Sequence, residues 1–526
     1  MNDKMQAKKD NNRTVEEFLQ DLEILKAEIQ ELYFDDQIPL VIGWSGGKDS
    51  TAVLQLIWSS IASLPPEKRT RKIHVLTNDT LVENPIVSAW VRKSLKNMNK
   101  AAKEQGMPVS THLTYPTIKN TFWCCLIGKG YPAPRNRFRW CTERLKINPA
   151  DYFIRETIRN NGQAILVLGT RKAESTQRAT NMAKHRKWRV RDRMNTNPHR
   201  PNCLIYLPIE DWRTDEVWMY LMQFENPWGQ DNKDLFTMYR GATADNECPL
   251  VIDTSTPSCG DSRFGCWVCT MVSKDKSMEA MILNDEAKEW MQPLLDLRNE
   301  LDVKNDHDKR DFRRNFGTVQ LFERNVDGQT SVQHIPGPYK REWREHWLRR
   351  VLEAQVQVRK TAPPEMRDIT LIQPEELSEI RRIWLEEKHE FDDSLPRIYQ
   401  EVTGEKFKDP RDTGEKAMLG PDEWQILEDL SDGDPMYLEL VTRLLDTERQ
   451  YKTMARRTGI YDTLERCFKT SSRSQNEAIQ NAHYERNLKE AAQSGKVEDI
   501  KKIVNGEKPE PDQQLSWASL KFNSKQ

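Results

Sequence analysis

Two groups of residues have the types and spacing to do chemistry. The first is Ser45-Gly46-Gly47-Lys48-Asp49-Ser50, which directly follows a short apolar run at 39–43 and directly precedes a helical pattern through Val53, Leu54 and Ile57. Paired glycines let a backbone approach a phosphate, and a helix N-terminus offers unpaired N–H groups and a partial positive charge to an anion. Lys48 adds a point charge and the two serines add donors, so the stretch reads as a phosphate cradle, although it lacks the Walker A spacing. The second group is Cys248, Cys259, Cys266 and Cys269, four thiols within 22 residues, the last two as C-x-x-C, among Pro249, Pro257, Gly260 and Gly265. Four thiolates on a turn-rich stretch can converge on one metal centre, and either an iron-sulfur cluster or a structural zinc ion is satisfied by them.

The elements that must position these groups follow from periodicity. A capping box, Thr14 with Glu17, opens a helix whose apolar face is Phe18, Leu22, Leu25, Ile29 and Leu32. From residue 38 short apolar runs alternate with helical patterns: strands at 39–43, 73–76, 109–114, 164–168 and 204–207, with helices from about Asn84 and around Val217. This is the pattern of an α/β domain with a mainly parallel sheet and helices on both faces. The expected organisation is an N-terminal helix (1–37), a nucleotide domain (38–240), a cysteine-rich region (241–275), a helical C-terminal region (276–475) interrupted by prolines, and a loosely attached tail (476–526) poor in large apolar groups.

At 526 residues the chain is too long for a single small module, and its formal net charge of −1 argues neither for nor against nucleic acid. No apolar run approaches the roughly 18–20 residues that cross a bilayer, and the first 13 residues lack the apolar stretch of a secretory signal. A cytoplasmic location, with no membrane partner, is expected. Nine cysteines in such a chain point to thiol chemistry or metal ligation rather than disulfides. Local charge is uneven: Lys184, Arg186, Lys187, Arg189, Arg191, Arg193 and Arg200 face a single acid, Asp192, with Trp188 among them. The stretch is either a solvated loop or a segment that tracks a nucleic-acid backbone, with Arg186, Lys187, Arg189 and Arg191 as candidate contacts. Trp343 and Trp347, one helical turn apart among arginines, are more often core residues.

Three further stretches carry a resemblance. Asn78-Asp79-Thr80, Gly169-Thr170-Arg171-Lys172-Ala173-Glu174-Ser175 and Pro208-Ile209-Glu210-Asp211-Trp212 look like motifs of the PAPS reductase branch of the PP-loop ATP-pyrophosphatases, in that family's order, over roughly residues 35–225 and with Trp140-Cys141 and Lys146 between. The resemblance implies cleavage of ATP to AMP and pyrophosphate with Mg²⁺. It implies an ATP site of Ser45, Gly46, Gly47, Lys48, Asp49, Ser50, Asp79, Gly169, Arg171 and Ser175, with Lys48, Asp49, Arg171 and Glu174 catalytic. Arg171 would pair with phosphate, and Glu174 would orient it or hold magnesium. Beside such a domain a four-iron four-sulfur cluster on the four cysteines is favoured over zinc, and Cys141 is a candidate sulfur-carrying thiol. Cys124 and Cys125 lie before the family's usual cysteine position and are set aside as ligands. Core packing is the preferred reading of Trp212 and Trp218.

Over its whole length the chain is similar to the sulfurtransferases of bacterial DNA phosphorothioation. That similarity implies adenylation of a DNA phosphate oxygen and its replacement by sulfur, with DNA, a cysteine desulfurase and other subunits of the modification complex as partners. PAPS or adenylylsulfate reduction, tRNA thiolation and a non-catalytic DNA-binding assembly subunit stand as alternatives.

Overall fold

The computed structural model describes residues 13–494 apart from 136–137, 175, 186–188, 198–199, 243–263, 315–317, 327–328, 389, 391, 411–420, 453–455 and 472–473. A seven-stranded sheet organises the first half. Strands β1 (Leu40–Gly43), β2 (Ile73–Asn78), β3 (Val109–Thr114), β4 (Ala164–Val167) and β7 (Arg200–Tyr206) run parallel in the order β3-β2-β1-β4-β7. The expected mainly parallel α/β fold is therefore present. Successive strands leave β1 in one direction, through β2 to β3, and in the other through β4 to β7. The crevice at the carboxyl ends of β1 and β4 is thus a topological switch point, where open α/β sheets bind ligands.

Helix α1 (Val15–Asp35) has the expected capping box and buries Phe18, Leu22, Leu25, Ile29 and Leu32 in the same core as α2 (Lys48–Ala62), α3 (Pro85–Glu104) and α6 (Thr214–Gln223). Trp212 and Trp218 are buried there too, as core residues.

The sheet differs from expectation at one edge. The basic stretch forms two short strands, β5 (Arg189–Arg191) and β6 (Met194–Asn197), that extend the sheet antiparallel beyond β7. Their charges are neutralised from a distance. Arg191 pairs with Glu31 at 2.6 Å and with Asp35, Arg193 with Glu28, all on α1, while Arg189 pairs with Glu210 at 2.5 Å and Arg200 with Asp151. The candidate DNA contacts Arg189 and Arg191 here strap the sheet edge to α1 and to the turn after β7. Arg186, Lys187 and Trp188 lie outside the described residues.

A second core is built by the C-terminal helices α8 (Lys276–Asn284), α9 (Gln292–Leu301), α10 (Arg341–Thr361), α11 (Pro374–Arg382) and α12 (Ser394–Thr403), and it also takes in Phe122–Ile127, Trp140 and Leu145 from the connection after β3. That connection joins the nucleotide domain to the helical region. Cys124 and Cys125 are buried in this core with thiols pushed up by burial, and Cys124 Sγ donates to the Glu376 carbonyl at 3.6 Å. Both side chains pack among apolar groups of this core. Trp347 is buried here, and Lys309 Nζ lies 3.8 Å over the ring of the half-buried Trp343.

The described part of the expected tail is helical. α16 (Gln475–Ser494) occupies most of the first half of the expected tail, opened by reciprocal hydrogen bonds between Ser474 and Glu477 and supported by an Arg486–Glu490 pair one turn apart. A helix held by caps and exposed ion pairs shows little apolar periodicity, which is why it was not legible.

Glu376 on α11 is a buried carboxyl with a measurable consequence. Its Oε2 accepts from Gln373 N at 2.8 Å, and burial, only partly offset by that bond and by the Thr121 hydroxyl, pushes the group from the usual 4.5 up to about 7. The folded protein then holds a proton that the unfolded chain releases between about pH 4.5 and 7, so stability falls as pH rises through that window. Glu376→Gln keeps the acceptor and removes the titration. It is expected to raise unfolding stability at pH 8 by on the order of 2–3 kcal/mol, with the gain shrinking towards zero near pH 4.5. Urea unfolding of both proteins at pH 5 and pH 8 checks this, and an equal difference at the two values would exclude Glu376 as the titrating group.

Candidate active site

The phosphate loop sits where β1 ends. Gly46 has φ of +78°, a conformation strained for any other residue, and a Cβ there would come 2.7 Å from Val91 Cγ2. Gly47 caps α2, and the loop closes on itself through Ser45 N to Ser50 Oγ at 3.2 Å and Ser50 Oγ to the Gly47 carbonyl at 3.1 Å. Trp90 Nε1 donates to the Gly46 carbonyl at 3.2 Å and the Tyr239 hydroxyl accepts from Lys48 N at 3.2 Å. These outside contacts hold the loop in place before any ligand arrives. A concavity of about 110 Å³ lies over it, lined by Ser45, Gly46, Gly47, Asp49, Ser50 and Tyr239 with Val87 and Phe264. It is polar and formed at a helix N-terminus, which suits a pyrophosphate-sized anion.

The loop after β4 presses against this cradle. A Cβ on Gly169 would stand 2.8 Å from the Asp49 carbonyl oxygen, so only glycine lets the two strand-end loops meet. Arg171 differs from expectation. It is buried, with Nε 2.7 Å from Asp49 Oδ1 and Nη1 3.1 Å from the Trp212 carbonyl. A guanidinium sequestered in this way fixes Asp49 and the loop instead of contacting phosphate directly. Glu174 Oε1 accepts from Arg171 N at 3.0 Å, which closes the turn, and Lys172 pairs with Glu210 and Asp211. Ser175 lies outside the described residues. Asp49 Oδ2 faces Lys48 Nζ at 3.2 Å, so both carboxylate oxygens of Asp49 meet cationic side chains. Magnesium does not fit there in this arrangement.

A larger cleft of about 250 Å³ continues from Ser45 along the ends of β1, β2 and β3, past Asn78, Asp79, Arg92 and Leu113 to Glu83 and Lys146. Asp79 is buried; it accepts from Arg92 at 2.7 Å and from Leu81 N at 2.9 Å, and Leu81 is held at φ of +65°. A non-glycine residue in that region stores strain at a turn lining the cleft.

At the far end of the cleft stand the thiols. Cys266 bridges to Glu83 in a short antiparallel pairing, Thr80 Oγ1 lies 3.3 Å from Cys266 Sγ, and Cys269 N donates to the Cys266 carbonyl at 3.1 Å, closing the C-x-x-C turn. Burial and the Glu83 carboxylate push the Cys266 thiol up to about 12. Lys146 lies 4.0 Å from Glu83, and the nearby thiols raise its pKa. Cys141, one turn before Lys146 on the π-helical segment Thr142–Ile147 and its preceding residues, is half-buried and is itself raised by burial, with Cys269 contributing. The structure thus gathers Cys141, Cys266 and Cys269 around Lys146, although no group of three or more His, Cys, Asp or Glu side chains is arranged to hold a metal among the described residues. Cys248 and Cys259 lie outside them. Glu83, Arg92 and Tyr239 were missed in the sequence, and of these Glu83 had a local signal, standing three residues after the Asn78–Thr80 motif; Thr80 was in that motif without a role.

The sheet, its switch-point crevice and the glycine loop define a PP-loop-type nucleotide domain. Residues 39–228 match the phosphoadenosine phosphosulfate reductase domain family. An uncharacterized protein of Methanocaldococcus jannaschii is 27% identical over 202 residues, which are 38% of this chain and 35% of the relative, so the chain spans about a third of that relative's length. Among solved structures, the U34-tRNA thiolase NcsA from Methanococcus maripaludis, with its 4Fe-4S cluster, matches 55% of this chain and 80% of its own at 13% identity and a TM-score of 0.25, a likeness too loose to equate residues. Among the described residues no helix is long and apolar enough to cross a membrane.

Proposed function

We propose that the protein is an ATP-dependent sulfurtransferase of DNA backbone phosphorothioation, the role of DndC in bacteria. One observation carries the reading: the cleft that starts at Ser45 of the phosphate loop runs past Asp79 to Glu83 and Lys146, and Cys266 of the C-x-x-C turn pairs with Glu83 at that end. An enzyme that only hydrolysed ATP would have no use for thiols at the other end of its nucleotide site.

In this reading the loop N–H groups and Lys48 bind the β and γ phosphates and stabilise pyrophosphate as it leaves. Asp49, fixed by Arg171, keeps Lys48 directed at them. Mg²⁺ would arrive with the ATP phosphates. A non-bridging phosphate oxygen of DNA attacks the α-phosphorus and pyrophosphate departs. Sulfide then replaces that oxygen at the DNA phosphorus, and the oxygen leaves with AMP. Lys146, close to the thiols, holds the incoming anionic sulfur and the adenylated phosphate near each other. Cys266 and Cys269, two thiols of one tight turn, fit half of a thiolate ligand set that Cys248 and Cys259 would complete. A four-iron four-sulfur cluster held there would supply a place to carry sulfur or electrons; the persulfide sulfur that a cysteine desulfurase yields has to take two electrons from a dithiol or equivalent reductant to reach the sulfide level, and zinc would supply only structure.

The test is to incubate the anaerobically purified protein with ATP, Mg²⁺, a dithiol reductant, a cysteine desulfurase, ³⁵S-cysteine and either duplex DNA, tRNA or PAPS. AMP and pyrophosphate in equal amounts, with label entering DNA, is the expected result. Label entering tRNA, or sulfite released from PAPS, would replace the acceptor, and absence of pyrophosphate would leave a nucleotide-switched assembly subunit.

A further inference from the structure

A second cleft, of about 430 Å³, lies beside the π-helical segment that carries Cys141 and Lys146, lined by Tyr131, Pro132, Phe138, Arg139, Trp140, Glu143, Arg144, Arg314, Gly337 and Pro338. Its volume falls within the roughly 300–1,000 Å³ typical of ligand clefts. The floor is rigid. Tyr339 N donates to the Gly130 carbonyl at 2.6 Å, Gly337 N to the Asp311 carbonyl at 2.6 Å, and a Cβ on Gly337 would overlap the Arg313 carbonyl at 1.6 Å. Trp140 backs the cleft, held by the Pro132 carbonyl at 2.9 Å and stacked on Phe122. Phe138 is 40% exposed, and Arg144 lies over the Tyr131 ring with its guanidinium carbon 5.3 Å from the centroid.

We infer that this cleft receives one nucleotide unit of a nucleic-acid strand, its base against Phe138 and Tyr131 and its phosphates against Arg139, Arg144 and Arg314. Three arginines and one glutamate give the cleft a positive excess, and an exposed ring such as Phe138 beside arginines is the means by which single strands are held. An acidic peptide would use the arginines and leave the ring faces idle. Position gives the cleft its purpose. Arg139, Trp140, Glu143 and Arg144 line it, while Cys141 and Lys146 of the same segment belong with the thiols at the end of the ATP cleft. A strand docked here brings its backbone next to the sulfur chemistry. The inference rests on the proposed acceptor being a nucleic acid, and it replaces the basic edge strands, whose described arginines are paired, as the docking surface.

The experiment is fluorescence anisotropy of a labelled single-stranded DNA, and of an RNA of the same sequence, on the full chain across a salt series. Phe138→Ala with Arg139→Gln, both exposed positions, should weaken DNA binding by on the order of tenfold or more and flatten the salt slope by about one unit. Glu143→Gln removes the single acid and should tighten binding several-fold, a gain that misfolding cannot mimic. Unchanged affinity and slope in both variants, or no nucleic-acid binding by the wild type, overturns the cleft. Tight RNA but not DNA binding, lost in the double variant, keeps the cleft and overturns the DNA acceptor. Pyrophosphate release is measured alongside: its absence from a wild type that binds DNA through this cleft overturns the proposed chemistry and leaves the cleft standing.

Discussion

Lys48→Ala is expected to lower ATP cleavage to AMP and pyrophosphate by roughly 10²–10³-fold, the usual cost of one preorganised charge at a reacting phosphate, with unfolding stability unchanged. Among the described residues Lys48 Nζ reaches only Asp49 and the face of Tyr239, so no packing contact of the core depends on its charge. Asp49→Ala should lose activity to at least the same extent and also stability, by about 3–5 kcal/mol. Among the described residues it leaves the buried Arg171 guanidinium with the Trp212 carbonyl and a long contact to Thr214. Steady-state pyrophosphate release and denaturant unfolding of the two variants separate the roles. If Asp49→Ala unfolds like the wild type, Asp49 is not the anchor of the buried arginine; if the wild type releases ADP and phosphate, the loop is not a PP-loop.

The second large effect concerns the thiols. Anaerobically prepared protein should be brown, with roughly four iron and four sulfide per chain, and Cys266→Ser or Cys269→Ser should bleach it. Cys248→Ser and Cys259→Ser should do the same. Cys124→Ser should keep the colour and pay instead in stability, because its side chain is buried among apolar groups of the second core. Cys141→Ser divides two roles: retained colour with lost sulfur transfer makes it a relay, and lost colour makes it a ligand. Colourless wild-type protein carrying zinc would remove the cluster.

The phosphate loop and the parallel sheet were legible in the residues because both rest on local chemistry. Gly46 and Gly47 are demanded by the backbone they form, and the alternation of apolar strand runs with helical spacing is repeated every few tens of residues. The burial of Trp212 and Trp218 was legible for the same reason. What the tertiary structure decided was the choice of partners. Arg191 meets Asp35 from 156 positions away and Cys266 meets Glu83 from 183 away, and no local pattern records such pairs. For that reason the described arginines of a stretch that reads as a solvated loop or a nucleic-acid contact pair along a sheet edge, and Arg171, read as a phosphate ligand, became a buried strut beneath Asp49. The segment of Arg139, Trp140 and Arg144 had no such signal, since its charges and aromatics become a cleft only when Gly337 and Pro338 are folded against it. Periodicity encodes which face of an element is buried, whereas the partner across that face is set by long-range packing and charge neutralisation, which only the assembled fold contains.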